Sequence, residues 1–323
     1  MNDSRKNQDS QEHLKKIKEK QLMKVQFVDF MKEKGLKMDR FECCGDVVWF
    51  KTNEEKTAFL LAGGNFCNNR FCPKCSWLRA KRDTFEILEL LKVVQLEEKK
   101  EYIFITLTAP NIPAEKLSEE ITEFNKAFQR LVKMEDFKKI SKGFIRKLEV
   151  TYNEEENTYH PHFHCIVAVN KSYFKSKFYI SERKLLEMWK KAKRDEKITQ
   201  VDMRKCKMDT VYEALELATY STKQSQLYKS KEIFDVFYKN LKGRQLMTFS
   251  GVFKDYKKKI ELGEVNPDEI LELKAMKEVA VKQIVYKWEK EEKEYIEVRE
   301  LILPESERTV FYNLEIDVDR VDK

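Results

Sequence analysis

Glycine and proline are scarce, 8 and 6 in 323 residues. So few forced breaks argue against a sandwich of many short strands and leave room for substantial helix. No apolar run approaches the roughly 20 residues that a bilayer span requires, so no membrane partner is expected. The N-terminal stretch carries Arg5 and Lys6 among polar residues and has no apolar secretory segment, which implies a cytoplasmic protein. Neither charge sign is lacking: 63 Lys and Arg against 56 Asp and Glu leave +7, too little to identify a partner. The distribution says more. Between Lys171 and Lys197 ten basic residues face four acidic ones, with Tyr173, Phe174, Phe178, Tyr179 and Trp189 interleaved. That mixture, Lys190 and Lys191 included, suits a nucleic-acid backbone with unstacked bases, although a solvated helix face has a similar composition.

Cysteine is not lacking. Five of the seven fall between residues 41 and 82, and in a cytosolic chain they point to metal binding or burial, not disulfides. Cys67, Cys72 and Cys75 have short spacing with a Pro-Lys turn before the last, which suits a tetrahedral zinc site. Cys43 and Cys44 both stand upstream as a fourth ligand. Arg70, Arg79, Lys81 and Arg82 would lie on such a module, where Arg79 and Arg82 are candidates for DNA contact. Cys165 and Cys206 read as core residues.

Four segments follow from the pattern: a charged helical arm over 1–40, the cysteine-rich module and its following helix over 41–99, a compact unit over 100–230, and an extension over 231–323. Within the compact unit, 102–108, 144–152, 162–169 and 198–203 read as strands. Ser118 and Ser181 would cap helices, and Asp209 would open another running to about Lys223. The fold class is α+β, a central antiparallel sheet of ferredoxin-like character flanked by helices, followed by a helical C-terminal extension. Gln283 to Val298 is a charged segment readable as helix or strand.

Of only four histidines, three lie in His160-Pro161-His162-Phe163-His164. On a strand His162 and His164 share a face and form half of a divalent-metal site. If 144–152 and 162–169 pair as a hairpin, Glu149 completes the site, with His160 as the rival third ligand. Further on, Glu213, Glu216, Tyr220 and Lys223 form one polar helical stripe. A phenol with a pKa of about 10 is a poor nucleophile at neutral pH, but a cation on the phosphate lowers the barrier to its attack.

FITLTAPN (104–111), LEVTYN (148–153), YHPHFHCIVAV (159–169) and ELATYSTK (216–223), in this order, resemble the replication initiators of rolling-circle plasmids, members of the HUH endonuclease superfamily of the single-Tyr-plus-Glu type. Cys44-Gly45, NFCNNRFCPKC (65–75) with Arg79, and LKGRQLMTFSGVFKDYKK (241–258) resemble further blocks of that group, so the likeness covers roughly residues 40–262. It implies that His162 and His164 are the paired histidines and Glu149 the completing ligand of Mn²⁺ or Mg²⁺. It also implies that Tyr220 nicks origin DNA as a 5′-phosphotyrosine, that Glu216 activates the water of termination, and that Cys44 is the fourth zinc ligand. Lys223 would offset charge on the phosphate. Thr219 departs from the Lys common at that position. The implied partners are single-stranded or hairpin origin DNA, a host helicase and a host polymerase, with a homodimer left open. A non-catalytic zinc-containing DNA-binding regulator would leave the histidine cluster without a purpose. A relaxase places its tyrosine before the histidines, and a single-strand transposase is a shorter chain.

Overall fold

The computed structural model describes residues 3–32, 38–206, 229–267 and 277–312, with 214, 217 and 224–227 between them. In chain order the elements are α1 (Asp3–Lys32), α2 (Met38–Glu42), β1 (Val47–Thr52), β2 (Phe59–Gly64), α3 (Pro73–Glu98) and β3 (Lys100–Leu107). Next come α4 (Leu117–Lys133), α5 (Glu135–Ile140), β4 (Gly143–Asn153), β5 (Thr158–Asn170), α6 (Glu182–Lys193) and β6 (Val201–Lys205). The chain continues through α7 (Gln224–Leu227), α8 (Lys231–Leu241), β7 (Met247–Gly251), α9 (Val252–Glu261), β8 (Lys277–Val279), β9 (Lys282–Glu289), β10 (Glu294–Ile302) and β11 (Val310–Tyr312). Contacts group the chain into two units, one of residues 1–79 with 273–317 and one of 80–272 with 318–323.

The second unit is built on an antiparallel sheet in the order β6-β3-β5-β4-β7. Its register sorts the side chains. His164 lies opposite Thr106 on one neighbour and Lys147 on the other, and His162 lies opposite Glu149. Because side chains alternate along a strand, Glu149, Lys147, Ile145, His162, His164, Ile166, Phe104 and Tyr102 share one face. Ile145, Ile166, Phe104 and Tyr102 form a core there with Ile87, Leu90, Leu91 and Val94 of α3 and Phe253 and Tyr256 of α9. The opposite face presents Phe163, on which Phe124 and Phe128 of α4 close at ring distances of 5.0 and 5.5 Å. On α4, Leu117, Ile121, Phe124, Ala127, Phe128 and Leu131 make one buried stripe, which is why that helix lies on the sheet.

Two capping expectations part company. Ser181 does cap α6, accepting from the Lys184 N–H at 3.2 Å. Ser118 does not cap α4: the helix begins at Leu117, and the Ser118 hydroxyl instead accepts from Arg244 Nη2 at 2.9 Å.

The first unit holds an antiparallel sheet ordered β10-β9-β1-β2, with a two-stranded ladder of β8 and β11. It corrects the helical C-terminal extension expected from the sequence: α8 and α9 are helical, but 277–312 is mostly strand, and β9 pairs with β1. In β9 the residues Ile284, Tyr286 and Trp288 are buried on alternate positions, a period of two that no helix can use. The charged run 283–298 is the hairpin of β9 and β10.

Candidate metal centres

The strand register predicted between Glu149 and the histidines holds, and the three side chains converge. Glu149 Oε2 lies 3.2 Å from His162 Nε2 and 3.0 Å from His164 Nε2. Both rings are steered from behind. His162 Nδ1 is 3.3 Å from the His160 carbonyl, and His164 Nδ1 is 3.3 Å from the Thr106 hydroxyl. A ring whose Nδ1–H donates to an oxygen presents the lone pair of Nε2. Two lone pairs and one carboxylate oxygen at about 3 Å would repel, so this donor set calls for a proton or a cation between them. Separations near 3 Å are also the edges of a site whose metal–ligand bonds are about 2.1 Å. Burial alone would raise the Glu149 carboxyl, but its contacts with His162 and His164 hold it well below the usual range. Among the described residues, Glu149, His162 and His164 bring their donor atoms close enough together to hold a metal ion, and His160 is not in that cluster. The His160 ring stands 5.4 Å from that of His162, and burial, then His162, lowers its pKa.

Tyr220, Glu216 and Lys223 lie outside the described residues. Two neighbours, Ala214 and Leu217, are described: both are helical, fully buried, and part of the core that contains Phe104, Ile145 and Ile166. They therefore pack on the sheet face that carries Glu149, His162 and His164.

The polar face that carries Glu149 also carries Lys147 and Thr151, which fits an open site by sequence, but the structure encloses Lys147. Lys147, two residues before Glu149 on the same face, is 6% exposed, and burial pulls its ammonium down to about 8 against the opposing charges of Glu149 and Asp83. Its signal was only that a lysine alternates with a ligand on a strand that has a buried face. A lysine whose folded pKa is depressed binds fewer protons than in the unfolded chain between about 8 and 10.5, so stability rises with pH through that window. Lys147→Met in metal-free protein is expected to raise stability at pH 7 by on the order of 3 kcal/mol. Thermal melts from pH 7 to 11 check this, with the advantage vanishing above pH 10.5.

The cysteines of the first unit gather as tightly. Cys44 Sγ lies 3.7 Å from Cys72 Sγ and 3.5 Å from Cys75 Sγ, and Cys67 Sγ lies 3.6 Å from Cys75 Sγ. All are free thiols, and a tetrahedral zinc site with bonds of about 2.3 Å has sulfur–sulfur edges of about 3.8 Å. The four residues fit such an ion. Contacts with Cys67, Cys72 and Cys75 drive the Cys44 thiol far below its ordinary range, while contact with Cys44 raises the thiols of Cys67 and Cys72. The backbone N–H of Cys67 donates to Cys44 Sγ at 3.3 Å. Of the two upstream candidates, Cys44 is in the cluster and Cys43 is exposed. Cys165 and Cys206 are buried in the core.

The basic residues are dispersed. Arg79 donates to the Asn68 carbonyl at 2.9 Å, and Arg82 is 73% exposed near Asp83. Lys190 pairs with Glu196 at 3.6 Å, and Lys191 is exposed. Among the interleaved aromatics, Tyr173 and Trp189 are core, whereas Phe178 and Tyr179 are about half exposed. The apolar stripe of α6 claims Trp189, so only part of the stretch can serve as a stacking surface.

A model of the family described as "Replication protein" matches residues 58–296. The chain belongs to that family. The matched span of this Rep chain contains Glu149, His162, His164, Cys67, Cys72 and Cys75, while Cys44 precedes it. A Staphylococcus aureus protein named "Protein rep" is 39% identical over 199 residues, 61% of this chain and 87% of the relative. A "Protein rep" of Streptococcus pneumoniae is 29% identical over 78% of this chain and 82% of its own length. A third, from Bacillus amyloliquefaciens, is 28% identical over 74% and 77%. No solved structure matches. No helix among the described residues is long and apolar enough to cross a membrane.

Proposed function

We propose that this Rep chain initiates rolling-circle replication of a plasmid by nicking origin DNA as an HUH endonuclease. One observation carries the reading: Glu149, His162 and His164 converge on the sheet face against which the helix of Ala214 and Leu217 packs. Tyr220 stands three residues beyond Leu217 in the sequence.

In this reading Glu149, His162 and His164 would hold a divalent cation, Mn²⁺ or Mg²⁺, which when bound would polarise the scissile phosphate and neutralise its developing charge. The Tyr220 phenol gives up its proton and forms the new O–P bond. The bond from phosphorus to the 3′ oxygen breaks, and that oxygen takes up a proton as the primer 3′-OH. The 5′ phosphate remains on Tyr220. Lys223 offsets charge on the phosphate, with Lys147 a second cation on the metal's side. At termination Glu216 accepts a proton from the water that attacks the phosphodiester of the regenerated origin in place of a second tyrosine. The bond from that phosphorus to its 3′ oxygen breaks, and the freed 3′-OH displaces the Tyr220 oxygen from the phosphotyrosine, returning the phenol. The four thiolates of Cys44, Cys67, Cys72 and Cys75 hold a structural zinc in a module that carries Arg79 toward DNA, and Arg82, Lys190 and Lys191 supply further backbone contacts. Single-stranded or hairpin DNA is the substrate, since a duplex presents its phosphate poorly to a fixed phenol. A host helicase and a host polymerase then use the freed 3′ end.

Incubation with origin-derived single strands and Mn²⁺ or Mg²⁺ tests the reading. A covalent adduct that requires the metal and maps by peptide sequencing to Tyr220 is expected. An adduct that forms fully in excess chelator sinks it. Glu216→Ala is expected to retain nicking and lose hydrolytic termination. That difference is read by comparing adduct formation with release of a second-round product, and equal loss of both would remove the assigned role.

A further inference from the structure

Lys74 stands between Cys72 and Cys75 in the sequence and is fully buried. Its ammonium donates to Gln21 Oε1 at 2.6 Å, to the Gly45 carbonyl at 3.1 Å and to the Tyr295 hydroxyl. None of these acceptors carries a charge. The contrast with Lys24, 2% exposed, is direct: Lys24 donates to the Cys44 carbonyl at 3.0 Å and the Glu42 carbonyl at 2.8 Å, and is ion-paired with Asp46 at 3.1 Å. An ammonium buried among neutral acceptors costs several kcal/mol unless an opposite charge lies close. The cysteine cluster lies close at hand, since Cys72 and Cys75 flank Lys74 in the sequence and Cys44 precedes the Gly45 whose carbonyl it meets, whereas the Asp46 carboxylate, which Gln21 also contacts, is paired with Lys24.

Gly45 shows that the place is built for this side chain. It has φ +70°, and an added Cβ would meet Lys74 Nζ at 2.2 Å and its Cδ at 2.5 Å. The glycine after Cys44 is thus required by its backbone conformation and by the lysine packed against it.

Four thiolates around a divalent ion leave a net charge of −2. We propose that Lys74 is the internal counter-charge of that metal tetrathiolate, a positioning residue that ties occupancy of the cysteine site to α1 through Gln21 and to β10 through Tyr295. The inference rests on the reading of the four cysteines as a metal site, and it assigns Lys74 a purpose in metal retention apart from any contact with DNA. Tyr295 completes the link, since its hydroxyl donates to the same Gly45 carbonyl and its ring lies 5.2 Å from Lys74 Nζ.

The test uses the full chain. Cobalt substitution of the unaltered protein comes first: the sulfur-to-cobalt bands of a four-thiolate site are expected, and their absence defeats the metal reading and this inference with it. Zinc transfer to a chromophoric chelator is then timed for the unaltered protein and for Lys74→Met, with roughly tenfold or faster release expected of the variant. Both are repeated in a Cys67→His background, where a neutral ligand on the half-exposed corner reduces the site to −1. If charge is the cause, the factor shrinks there. Unchanged release in Lys74→Met, or the same factor in both backgrounds, overturns the proposal while leaving the metal site intact. Should Lys74→Met prove unfolded by circular dichroism, Tyr295→Phe is compared instead, as it keeps the ring and removes the hydroxyl that holds the ammonium. Faster release supports the proposal and an unchanged rate overturns it.

Discussion

Tyr220→Phe is expected to bind origin DNA as the unaltered chain does and to form no covalent adduct with it. The substitution keeps the ring and removes only the oxygen that would join phosphorus. Nothing else described at the site can replace it. Imidazole nitrogens committed to a cation are not free to attack, and the Glu149 carboxylate faces both histidines at 3.0 to 3.2 Å. The measurement is a denaturing gel of protein with labelled single strand in Mn²⁺, beside a filter-binding curve. An adduct at the original rate would mean that another residue is the nucleophile. His164→Ala provides the companion result: with one of three ligands gone, adduct formation should be lost at low metal and partly restored at high metal, a rescue that Tyr220→Phe cannot show.

The second large effect concerns stability. Cys72→Ser is expected to release zinc and to unfold the unit made of 1–79 and 273–317, leaving the sheet of β3 to β7 folded. Structural zinc contributes about 10–16 kcal/mol of apparent binding energy in small domains, and a hydroxyl is a poor substitute for a thiolate. Cys72 is fully buried, so the cavity cannot recruit solvent as a ligand without opening. The sheet of that unit includes strands separated by more than 200 residues in the sequence, with Trp49 opposite Val285, and long closures of this kind need strong local anchoring. Hydrogen exchange checks the outcome: amides of β1 and β9 should lose protection, and those of β4 and β5 should keep it. Uniform loss in both units would show that the cysteine site does not stabilise one of them separately.

Both clusters could be located from residue type and spacing because their residues are concentrated locally. Histidines at alternate positions of a strand share a face whatever surrounds them, and a hairpin with a short polar loop sets Glu149 across from His162. Three cysteines within nine residues likewise demand a common site. The amphipathic stripes of α4 and α6 and four of the five strands of the central sheet were legible for the same reason, since periodicity is a local property, whereas β7 (Met247–Gly251) lies in a stretch expected to be helical.

What needed tertiary structure was whatever depends on partners far along the chain. The run 283–298 mixes charge with aromatic residues in a way that fits either helix or strand, and only pairing with β1 shows that Ile284, Tyr286 and Trp288 have a core to enter. Tyr173 reads as a base platform until its ring is seen buried against Phe174 and Tyr179 with its hydroxyl at Ile180. The choice between Cys43 and Cys44 was one residue wide, and the turn that carries Gly45 at positive φ directs Cys44 inward. Lys74 and Lys147 look like surface lysines in any linear reading, because a strip of sequence contains no measure of burial. Composition and spacing determined which chemistry the chain can hold. The packing of distant strands determined which lysines are enclosed with it, since burial is a property of neighbours that the linear order does not name.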